Sequence, residues 1–590
     1  MSLSSQSSAA VAVLQIDGMW HRLYGAATRL VASEPGEVPS VLAAVEAAAD
    51  GGKHVAGFVT YEAGAAFGID CHAPPEGLPL AEFAVFDHME RYDPRQLAVA
   101  AAAAERLDWE PSMPEEVYTA AVRRIRERLA AGDTYQVNLT FPLTTSFAGD
   151  PLALFARLAR AQRSSYAAYL DFGRFVVCSA SPELFFARDG ERVTMRPMKG
   201  TATRGRTLEE DRRRSAALRK SPKERAENLM VVDMVRNDLG KVARTGSVKV
   251  PELFRVEKFP TVLQMTSTVT AETSASLPEL FAATFPCASI TGAPKVRTAQ
   301  LIRTLEAGPR GVYSGAVGYV GPGRKARFNV AIRTATVDRD LARATYSVGS
   351  GIVWDSRPGR EYAECLAKAA VLAADSRPFA LLETLRWDPE GGFALLERHL
   401  RRQASSARFF GIPYDRSKVR QKLASVTDSG VPLRVRLIVD EDGEICIESA
   451  PLGAAGEAPV RVGFARRPVD SSDTFLYHKT TRRDVYEAAM TSRPDCDQVL
   501  LWTATGRVTE TNIGNVAVRR EDGWVTPPVS DGLLAGTLRA ELLAKGRLSE
   551  SSITREELAA ATEIAVFNSV RGWQAATFVP DGPPASPEKW

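Results

Sequence analysis

Cysteine is scarce in this sequence, which has six in 590 residues. No two of them stand at C-x-x-C spacing, so the sequence predicts neither a zinc site nor a redox pair. Sparse cysteine in a long chain is typical of a protein kept in a reducing compartment. The six are Cys71, Cys178, Cys287, Cys365, Cys446 and Cys496.

An excess of one charge is also missing, because 74 basic residues face 71 acidic ones and the net charge is +3. Binding to nucleic acid needs a concentrated basic patch, so we expect no nucleic-acid partner. The arginine-rich stretch 212–214 follows the acidic stretch 209–211, and we interpret it as a solvated helix face. No apolar run is as long as a membrane span, and the first residues lack the basic start of a secretory signal. We therefore expect no membrane partner and a cytoplasmic protein.

The sequence predicts two parts. A chain of this length exceeds one ordinary hydrophobic core. In the first part, amphipathic helical patterns alternate with strand-like runs such as RFVVCSA and GVYSGAVGYV, joined by turns that contain glycine. The pattern restarts after the segment 375–378 with a strand, a turn and a helix that ends near Gly411. We predict an α+β protein with antiparallel sheets in its first part, and domains at 1–375 and 376–590.

Two helices in the first part carry carboxylates. Glu224 and Glu227 lie near the start of the predicted helix in KERAENLMVVDMVRNDLG, whose apolar stripe contains Leu229, Val232 and Val235. In the second helix, Glu361 and Glu364 are one turn apart, and Lys368 follows one turn later. Carboxylates from separate helices can hold Mg²⁺, which prefers oxygen ligands. The alternative is an ordinary ion pair between Glu364 and Lys368.

Lys199 follows a predicted strand in MRPMKGTATRG, in a turn that contains proline and glycine. By its position alone it is an exposed lysine. A partly desolvated lysine beside a metal would instead have a lowered pKa and could act as a nucleophile.

These motifs, taken in order, resemble the family of chorismate-utilising enzymes. The resemblance covers residues 1–375 and rests on GFVTYEAGAAF, GDTYQVNLT, SPELF, RPMKGT, AENLMVVDMVRNDLG, SITGAPKVRTAQLI and GSGIVWDS. It implies a fold of antiparallel sheets in a sandwich with surrounding helices, and chorismate as substrate. Members that make anthranilate or isochorismate usually carry alanine at the position of Lys199, so lysine resembles the branch that forms aminodeoxychorismate.

The resemblance also implies roles for single residues. Lys199 would add to ring C2 as the 4-hydroxyl leaves, ammonia would then enter at C4, and Glu183 would be the general acid and base. Glu227 and Glu364 would bind Mg²⁺. The remaining predicted substrate contacts are the side chains of Arg333 and Lys368 and the backbone at Gly292 and Gly349. Many relatives carry histidine where Gln264 stands, and we predict no catalytic role for Gln264.

The sequence shows no glutaminase motif, because none of the six cysteines stands in the tight glycine-flanked turn of such a nucleophile. The resemblance therefore implies that a separate glutamine amidotransferase subunit supplies the ammonia.

The second part contains a lysine motif, FLYHKTTRRDVYEAA, and three further motifs. GRVTETNIGNVAV places Glu510 before a strand, DGLLAGTLRAELL opens a helix after a glycine turn, and AVFNSVRGW ends a strand. Such a helix start suits a phosphate. Taken singly, a solvated lysine and an ordinary helix cap explain the first and third motifs.

In this order the motifs resemble pyridoxal-phosphate enzymes of fold type IV, which include aminodeoxychorismate lyase and amino acid aminotransferases. The resemblance implies that Lys479 carries the cofactor and acts as general base, and that Glu510 keeps the pyridine nitrogen protonated. Arg402, Gly536 and Thr537 would hold the phosphate. Relatives begin with a further hairpin and a Gly-Asp-Gly segment that this chain lacks, so its substrate residues stay unassigned. A homodimer through this part is one assembly that the resemblance allows.

Together, the two resemblances imply synthesis of 4-aminobenzoate, a folate precursor, in two consecutive steps: amination of chorismate and pyridoxal-phosphate-dependent loss of pyruvate. Two alternatives keep one half and change the other. The second part could be an aminotransferase, or the first could resemble an anthranilate synthase. A non-catalytic scaffold is disfavoured because the set Glu183, Lys199, Glu227, Glu364, Lys479 and Glu510 is intact.

Overall fold

A computed structural model describes residues 10–373, 377–426, 429–454, 456 and 458–580. These residues form two compact units. The first comprises the described residues up to Arg204 and those from Arg214 to Arg377. The second comprises Gly205–Arg213 and the described residues from Pro378 onward. The predicted boundary between residues 375 and 376 lies outside the described residues.

The strands up to residue 352 belong to one antiparallel network of 18 strands. They are β1 Val11–Ile16, β2 Met19–Ala32, β3 His54–Val59, β4 Ala81–Arg91, β5 Glu110–Pro111, β6 Gln136–Ser146, β7 Ala168–Asp171, β8 Phe175–Ser179, β9 Leu184–Asp189, β10 Arg192–Arg196, β11 Met198–Thr203, β12 Lys249–Lys258, β13 Val262–Glu272, β14 Gly292–Ala293, β15 Ala316–Gly321, β16 Lys325–Val330, β17 Thr334–Asp338 and β18 Arg343–Ile352.

Nine α-helices are described up to residue 369. They are α1 Val38–Asp50, α2 Pro94–Ala102, α3 Glu115–Ala130, α4 Pro151–Gln162, α5 Leu208–Lys220, α6 Pro222–Gly240, α7 Leu277–Thr284, α8 Lys295–Leu305 and α9 Pro358–Ala369. Arginines 212–214 are exposed on α5, as the sequence predicts for a solvated face.

Two strand pairings position the site of the first unit. β6 pairs with β18 along ten residues, which sets Thr140 opposite Gly349 and Asn138 opposite Gly351. β11 pairs with β13, and the register shifts between Met198 and Thr201. The predicted turn around Lys199 is therefore a strand, because the backbone of this segment finds its hydrogen-bond partners on β13.

The buried faces of α3 and α6 differ from the stripes that the sequence predicts. In α3 the sequence predicts a stripe of Val117, Ala121, Ile125 and Leu129, but Val117 is 54% exposed, and the buried residues are Tyr118, Ala121, Val122 and Ile125. In α6, Val232 and Val235 are buried as predicted, but Leu229 is 43% exposed. A series with a constant spacing of four, as in α3, or of three, as in α6, drifts around a helix of 3.6 residues per turn, so the buried face needs both steps.

The second unit contains two sheets. One is an antiparallel sheet of four strands, ordered β20-β19-β21-β22, and the other is a mixed sheet of eight. The strands are β19 Leu381–Asp388, β20 Gly392–Phe393, β21 Leu433–Val439, β22 Ile445–Pro451, β23 Val460–Phe464, β24 Gln498–Trp502, β25 Val508–Thr511, β26 Asn515–Arg520, β27 Gly523–Thr526, β28 Ser549–Glu550, β29 Ile564–Asn568 and β30 Gly572–Phe578.

Five α-helices cover these sheets: α10 Leu396–Phe410, α11 Arg416–Ala424, α12 Asp484–Ser492, α13 Thr537–Ala544 and α14 Arg555–Ala560. Helix α10 ends before Gly411, whose φ of +72° is the left-handed conformation common after helices. Leu385, Leu400 and Val435 belong to a buried cluster between β19, β21 and α10. The mixture of helices and sheets confirms the predicted α+β class. Among the described helices, none has both the length and the apolar character of a membrane span.

Candidate active sites

A cavity of about 250 Å³ in the first unit brings together residues from β11, β18, α6 and α9. These elements are far apart in the chain. Lining residues predicted from the sequence are Glu183, Lys199, Glu227, Arg333, Gly349, Glu364 and Lys368.

Lys199 extends from β11 into this cavity. Its ammonium nitrogen lies 3.5 Å from Oε2 of Glu227, and its side chain is 18% exposed. A Cβ atom at Gly351 would lie only 2.7 Å from Lys199 Nζ, so the glycine leaves the space that the ammonium group fills. The interpretation of Lys199 as an exposed lysine in a turn is therefore wrong.

Glu183 is buried where the chain enters β9. Its Oε1 accepts a hydrogen bond of 2.7 Å from the hydroxyl of Ser289. Burial raises the pKa of Glu183 to about 7, although Ser289 and Lys199 oppose the shift. A carboxyl group with this pKa can both donate and accept a proton near neutral pH.

Four carboxylates besides Glu183 line the cavity: Glu224, Glu227, Glu361 and Glu364. Burial raises the pKa of Glu224, and the charges of Glu227 and Glu364 add to that rise. Glu227 contacts the ammonium groups of Lys199 and Lys223, at 3.5 and 3.7 Å. Within the described ranges, no group of three or more histidine, cysteine or acidic side chains is placed to hold a metal ion.

Arg333 and Lys368 supply fixed positive charge. The Lys368 ammonium contacts Glu364 at 2.9 Å and donates to the carbonyl of Gly349 at 2.8 Å. The ion pair weighed as the alternative to a metal site is therefore present. The Arg333 guanidinium donates to the carbonyl of Lys368, and its backbone has a φ of +52°. That conformation is uncommon for a residue with a side chain and is found at functional sites.

Gly292 is not among the residues that line this cavity. It pairs with Val137 in the β14–β6 ladder, where a Cβ atom would lie 2.0 Å from the carbonyl oxygen of Gln136. Strand pairing gives this glycine a structural reason, and the substrate contact at Gly292 stays a prediction. Gly349 does line the cavity, with its α-carbon against Thr140 of β6.

Sequence reasoning missed two neighbours of the predicted residues. Ser289 donates to Glu183, and its place in SITGAPKV was the available signal. Gln264 lines the cavity and donates 2.9 Å to the carbonyl of Gly200. It therefore supports the strand that carries Lys199, a contact that only the β11–β13 pairing reveals.

A second cavity, of about 470 Å³, lies in the second unit. All five residues predicted for a cofactor line it: Arg402, Lys479, Glu510, Gly536 and Thr537. Glu510 precedes strand β26, as predicted, and itself lies in β25, whose residues pair with β24.

Glu510 is buried in this cavity, and Lys479 is half-buried there. Burial and the neighbouring Arg402 guanidinium together lower the pKa of Lys479 to about 8. Burial raises the pKa of Glu510 to about 7. Glu510 accepts a hydrogen bond of 2.9 Å from the hydroxyl of Tyr486 and one of 3.2 Å from the backbone of Leu534. A lysine with a lowered pKa is more often unprotonated, as a nucleophile or base must be.

One end of the second cavity is suited to an anion. Helix α13 begins there after Gly536, so its first N–H groups lack partners within the helix. A Cβ atom at Gly536 would lie 1.9 Å from Oδ1 of Asn515, so only glycine fits. The Arg402 guanidinium lines the same cavity and donates 3.2 Å to the carbonyl of Ala535.

Further cations on the wall of the second cavity were not predicted. Arg434 and Arg436 lie on one face of β21, where they alternate with buried core residues. The strand pattern LRVRLIV could have indicated this face, because every second residue of a strand points the same way.

Comparison with known protein families matches both parts of the chain. A family described as chorismate binding enzyme matches residues 32–374, and one described as Amino-transferase class IV matches residues 380–578.

Two curated relatives each match less than half of the chain. Aminodeoxychorismate synthase component 1 of Escherichia coli (strain K12) is 41% identical over 263 residues, which is 44% of this chain and 58% of that protein. Anthranilate synthase component 1 of Aquifex aeolicus is 40% identical over 268 residues, which is 45% of this chain and 54% of that protein. The alignments thus span less than two thirds of these relatives.

A solved structure shares the fold of the first unit. The crystal structure of anthranilate synthase component I from Streptococcus pneumoniae TIGR4 superposes with a TM-score of 0.51 at 23% sequence identity. The match covers 63% of this chain and 94% of that one.

Proposed function

The chain belongs to the family of chorismate-binding enzymes, and we propose that it makes 4-aminobenzoate from chorismate in two steps. The first unit would replace the 4-hydroxyl of chorismate with an amino group. The second would remove pyruvate from the product. The observation that carries the proposal is the Lys199 ammonium group inside the cavity that also holds Glu183.

Binding of chorismate needs positive charge, because the substrate carries two carboxylates. Arg333 and Lys368 line the cavity, and each is fixed by a hydrogen bond to backbone. A guanidinium group binds a carboxylate through two parallel hydrogen bonds, so Arg333 suits this role. The two cations would hold the substrate with its ring toward Lys199.

Amination would use Lys199 and Glu183 together. The unprotonated amine of Lys199 forms a bond to ring C2, both ring double bonds shift, and the C4–O bond breaks. Glu183 gives its proton to the departing hydroxyl, which leaves as water. Ammonia then attacks C4, and the C2–N bond to Lys199 breaks. The pKa of Glu183, about 7, suits it to donate the proton and to take one back.

The carboxylates of this site fit a divalent cation. Glu227 and Glu364 come from different helices. Their negative charges raise the pKa of Glu224, and a bound cation would offset this repulsion. Oxygen donors of this kind suit Mg²⁺. Bound there, Mg²⁺ would neutralise a substrate carboxylate.

The second cavity fits pyridoxal phosphate. Lys479 and Glu510 would meet the pyridine part of the cofactor, and Arg402 and the start of α13 would meet its phosphate. The cofactor supplies an electron sink for the bond-breaking step. Lys479 would take the proton from ring C4 of the substrate, and Glu510 would keep the cofactor nitrogen protonated. Loss of pyruvate then leaves the aromatic product.

Ammonia would come from a separate glutamine amidotransferase. Relatives of the first part are named component 1, which implies a second component. Burial raises the pKa of Cys287 to about 12 and raises that of the buried Cys178 as well. Neither thiol is suited to a nucleophile, because the thiolate is the reactive form.

One incubation tests both steps. The purified chain is mixed with chorismate, Mg²⁺, pyridoxal phosphate and either ammonium or glutamine. We expect 4-aminobenzoate and pyruvate in equal amounts with ammonium, and no product with glutamine alone. Accumulation of aminodeoxychorismate without pyruvate would contradict the lyase step and favour an aminotransferase. Anthranilate as product would contradict the first step.

A further inference from the structure

Glu383 is a buried carboxylate that the proposed reaction does not use. It lies on β19, is 1% exposed, and stands between Leu382 and Thr384. These two neighbours line the second cavity, but Glu383 does not, because alternate residues of a strand point to opposite faces. Glu383 therefore lies behind the cavity wall.

Two residues, Arg402 and His399, form hydrogen bonds with Glu383. Nε of Arg402 donates to Oε1 at 2.9 Å, and Nη2 donates to Oε2 at 2.6 Å. This is the bidentate geometry that fixes the plane of a guanidinium group. On its other side, Nδ1 of His399 lies 2.7 Å from Oε2.

His399 extends the contact to the start of α13. A carboxylate only accepts, so Nδ1 of His399 donates to Glu383. The hydroxyl of Thr537 lies 3.2 Å from Nε2, within hydrogen-bond distance. Thr537 is the first residue of α13, and it lines the cavity.

The ionised state of Glu383 depends on its neighbours Arg402 and His399. Burial alone would raise the pKa of Glu383, but the Arg402 guanidinium and His399 bring it down to about 2. The carboxylate is therefore ionised at neutral pH, and it is the one acceptor shared by Arg402 and His399. Buried ion pairs of this kind cost desolvation energy, which only good geometry offsets.

We propose that Glu383 is a positioning residue for a phosphate group in the second cavity. It orients Arg402 directly and the first turn of α13 through His399 and Thr537, so both anion-binding groups are fixed before the ligand arrives. Preorganised groups bind more tightly because less ordering is needed on binding. The inference rests on the proposed pyridoxal-phosphate site and goes beyond it, since Glu383 does not touch the cofactor.

The test compares pyridoxal phosphate with pyridoxal, which lacks the phosphate. Both are titrated into the full chain. Binding is followed by the absorption band that the bound ligand shows with the unsubstituted chain and that the Lys479→Ala chain should lack. For Glu383→Gln we expect the Kd for pyridoxal phosphate to rise about tenfold or more, as loss of one charge-assisted hydrogen bond implies. The Kd for pyridoxal should change by less than about twofold, because only the phosphate end is disturbed.

Equal weakening of both ligands would overturn the proposal, because Glu383 would then act only through the fold. An unchanged Kd for pyridoxal phosphate would overturn it as well. Absence of the Lys479-dependent band from the unsubstituted chain would instead contradict the proposed function of the second unit.

Two further variants complete the test. Asp388→Asn is a matched control, because Asp388 lies on the same strand and pairs with Arg386 outside the cavity. We expect both Kd values to stay as in the unsubstituted chain. If Glu383→Gln does not fold, His399→Gln keeps the Glu383–Arg402 pair and removes the imidazole that joins Glu383 to Thr537. It should raise the Kd for pyridoxal phosphate alone, by about threefold. A change in both Kd values, or in neither, would count against the proposal.

Discussion

At the scale of single residues, the two lysines have separate tasks. Lys199 lies against Glu227 in the first cavity, and Lys479 lies near Glu510 and Arg402 in the second. Each is surrounded by carboxylates and arginines that belong to its own unit. A substitution at one lysine should therefore leave the chemistry of the other intact.

Lys199→Ala should abolish amination while the lyase step persists. We expect aminodeoxychorismate formation to fall by about a hundredfold or more, because a nucleophile is removed. Release of pyruvate from supplied aminodeoxychorismate should keep its rate. The measurement is product formation by chromatography for each half-reaction, and Lys325→Ala, at an exposed lysine outside the cavity, serves as the control. Equal loss of both half-reactions would contradict two independent sites.

The Glu183→Gln chain should gain stability, relative to the unsubstituted chain, as pH rises. In the folded chain the pKa of Glu183 is about 7, whereas its ordinary value is 4.5. Between these values the folded state holds a proton that the unfolded state has lost, so stability of the unsubstituted chain falls with rising pH. Glutamine has no such proton. Between the two pKa values, the free energy of unfolding of the Glu183→Gln chain should rise by on the order of 3 kcal/mol relative to that of the unsubstituted chain.

Thermal unfolding at pH 5 and pH 8 checks this, with Glu191→Gln as an exposed control. The Tm of the Glu183→Gln chain relative to the unsubstituted chain should be higher at pH 8 than at pH 5. A difference that is the same at both pH values would show that Glu183 is not buried with a raised pKa.

At the scale of elements, helix α6 has one side in the core and one side in the site. Val232, Val235 and Leu239 pack in the core of the first unit, while Glu224 and Glu227 line the cavity. The sequence indicated the helix and its carboxylates correctly. It misplaced the edge of the apolar stripe, because which of two adjacent apolar residues is covered depends on the neighbouring elements.

Two leucines of α6 test that face. Leu239→Ala should cost about 2–5 kcal/mol, the range for a buried leucine. Leu229→Ala should cost less than about 1 kcal/mol, because Leu229 is 43% exposed and loses little burial. Urea unfolding midpoints of the two variants make the comparison within one helix. Similar midpoints would contradict the orientation of α6.

At the scale of the whole molecule, the chain joins a family of chorismate-binding enzymes to a class IV amino-transferase part. The proposed product of the first cavity is the proposed substrate of the second. No contact between the two units is needed for the chemistry, because the intermediate can diffuse.

A mixture of two inactive chains should therefore make product. The Lys199→Ala and Lys479→Ala chains should each form no 4-aminobenzoate from chorismate and ammonium. Mixed, they should form it after a lag, while aminodeoxychorismate accumulates in solution. Fluorescence of 4-aminobenzoate follows the reaction. A mixture that stays inactive, although each variant performs its remaining half-reaction, would show that the intermediate is not released.

The sequence by itself determined which residue types are present for the chemistry, and their order along the chain. It indicated Lys199, Glu183, Glu227 and Glu364, and the group around Lys479, through the motifs on which the resemblance to two known families rests. It also indicated the strands and helices, whose periodicities are local.

Only the tertiary structure decided which of these residues meet. Gly292 pairs with Val137 between strands β14 and β6. Lys199 lies in strand β11, with its ammonium group 3.5 Å from Glu227. Ser289 and Gln264, and Glu383 behind the second cavity, became visible only through contacts between distant segments. Such contacts depend on strand register and on packing between elements, which no local pattern encodes.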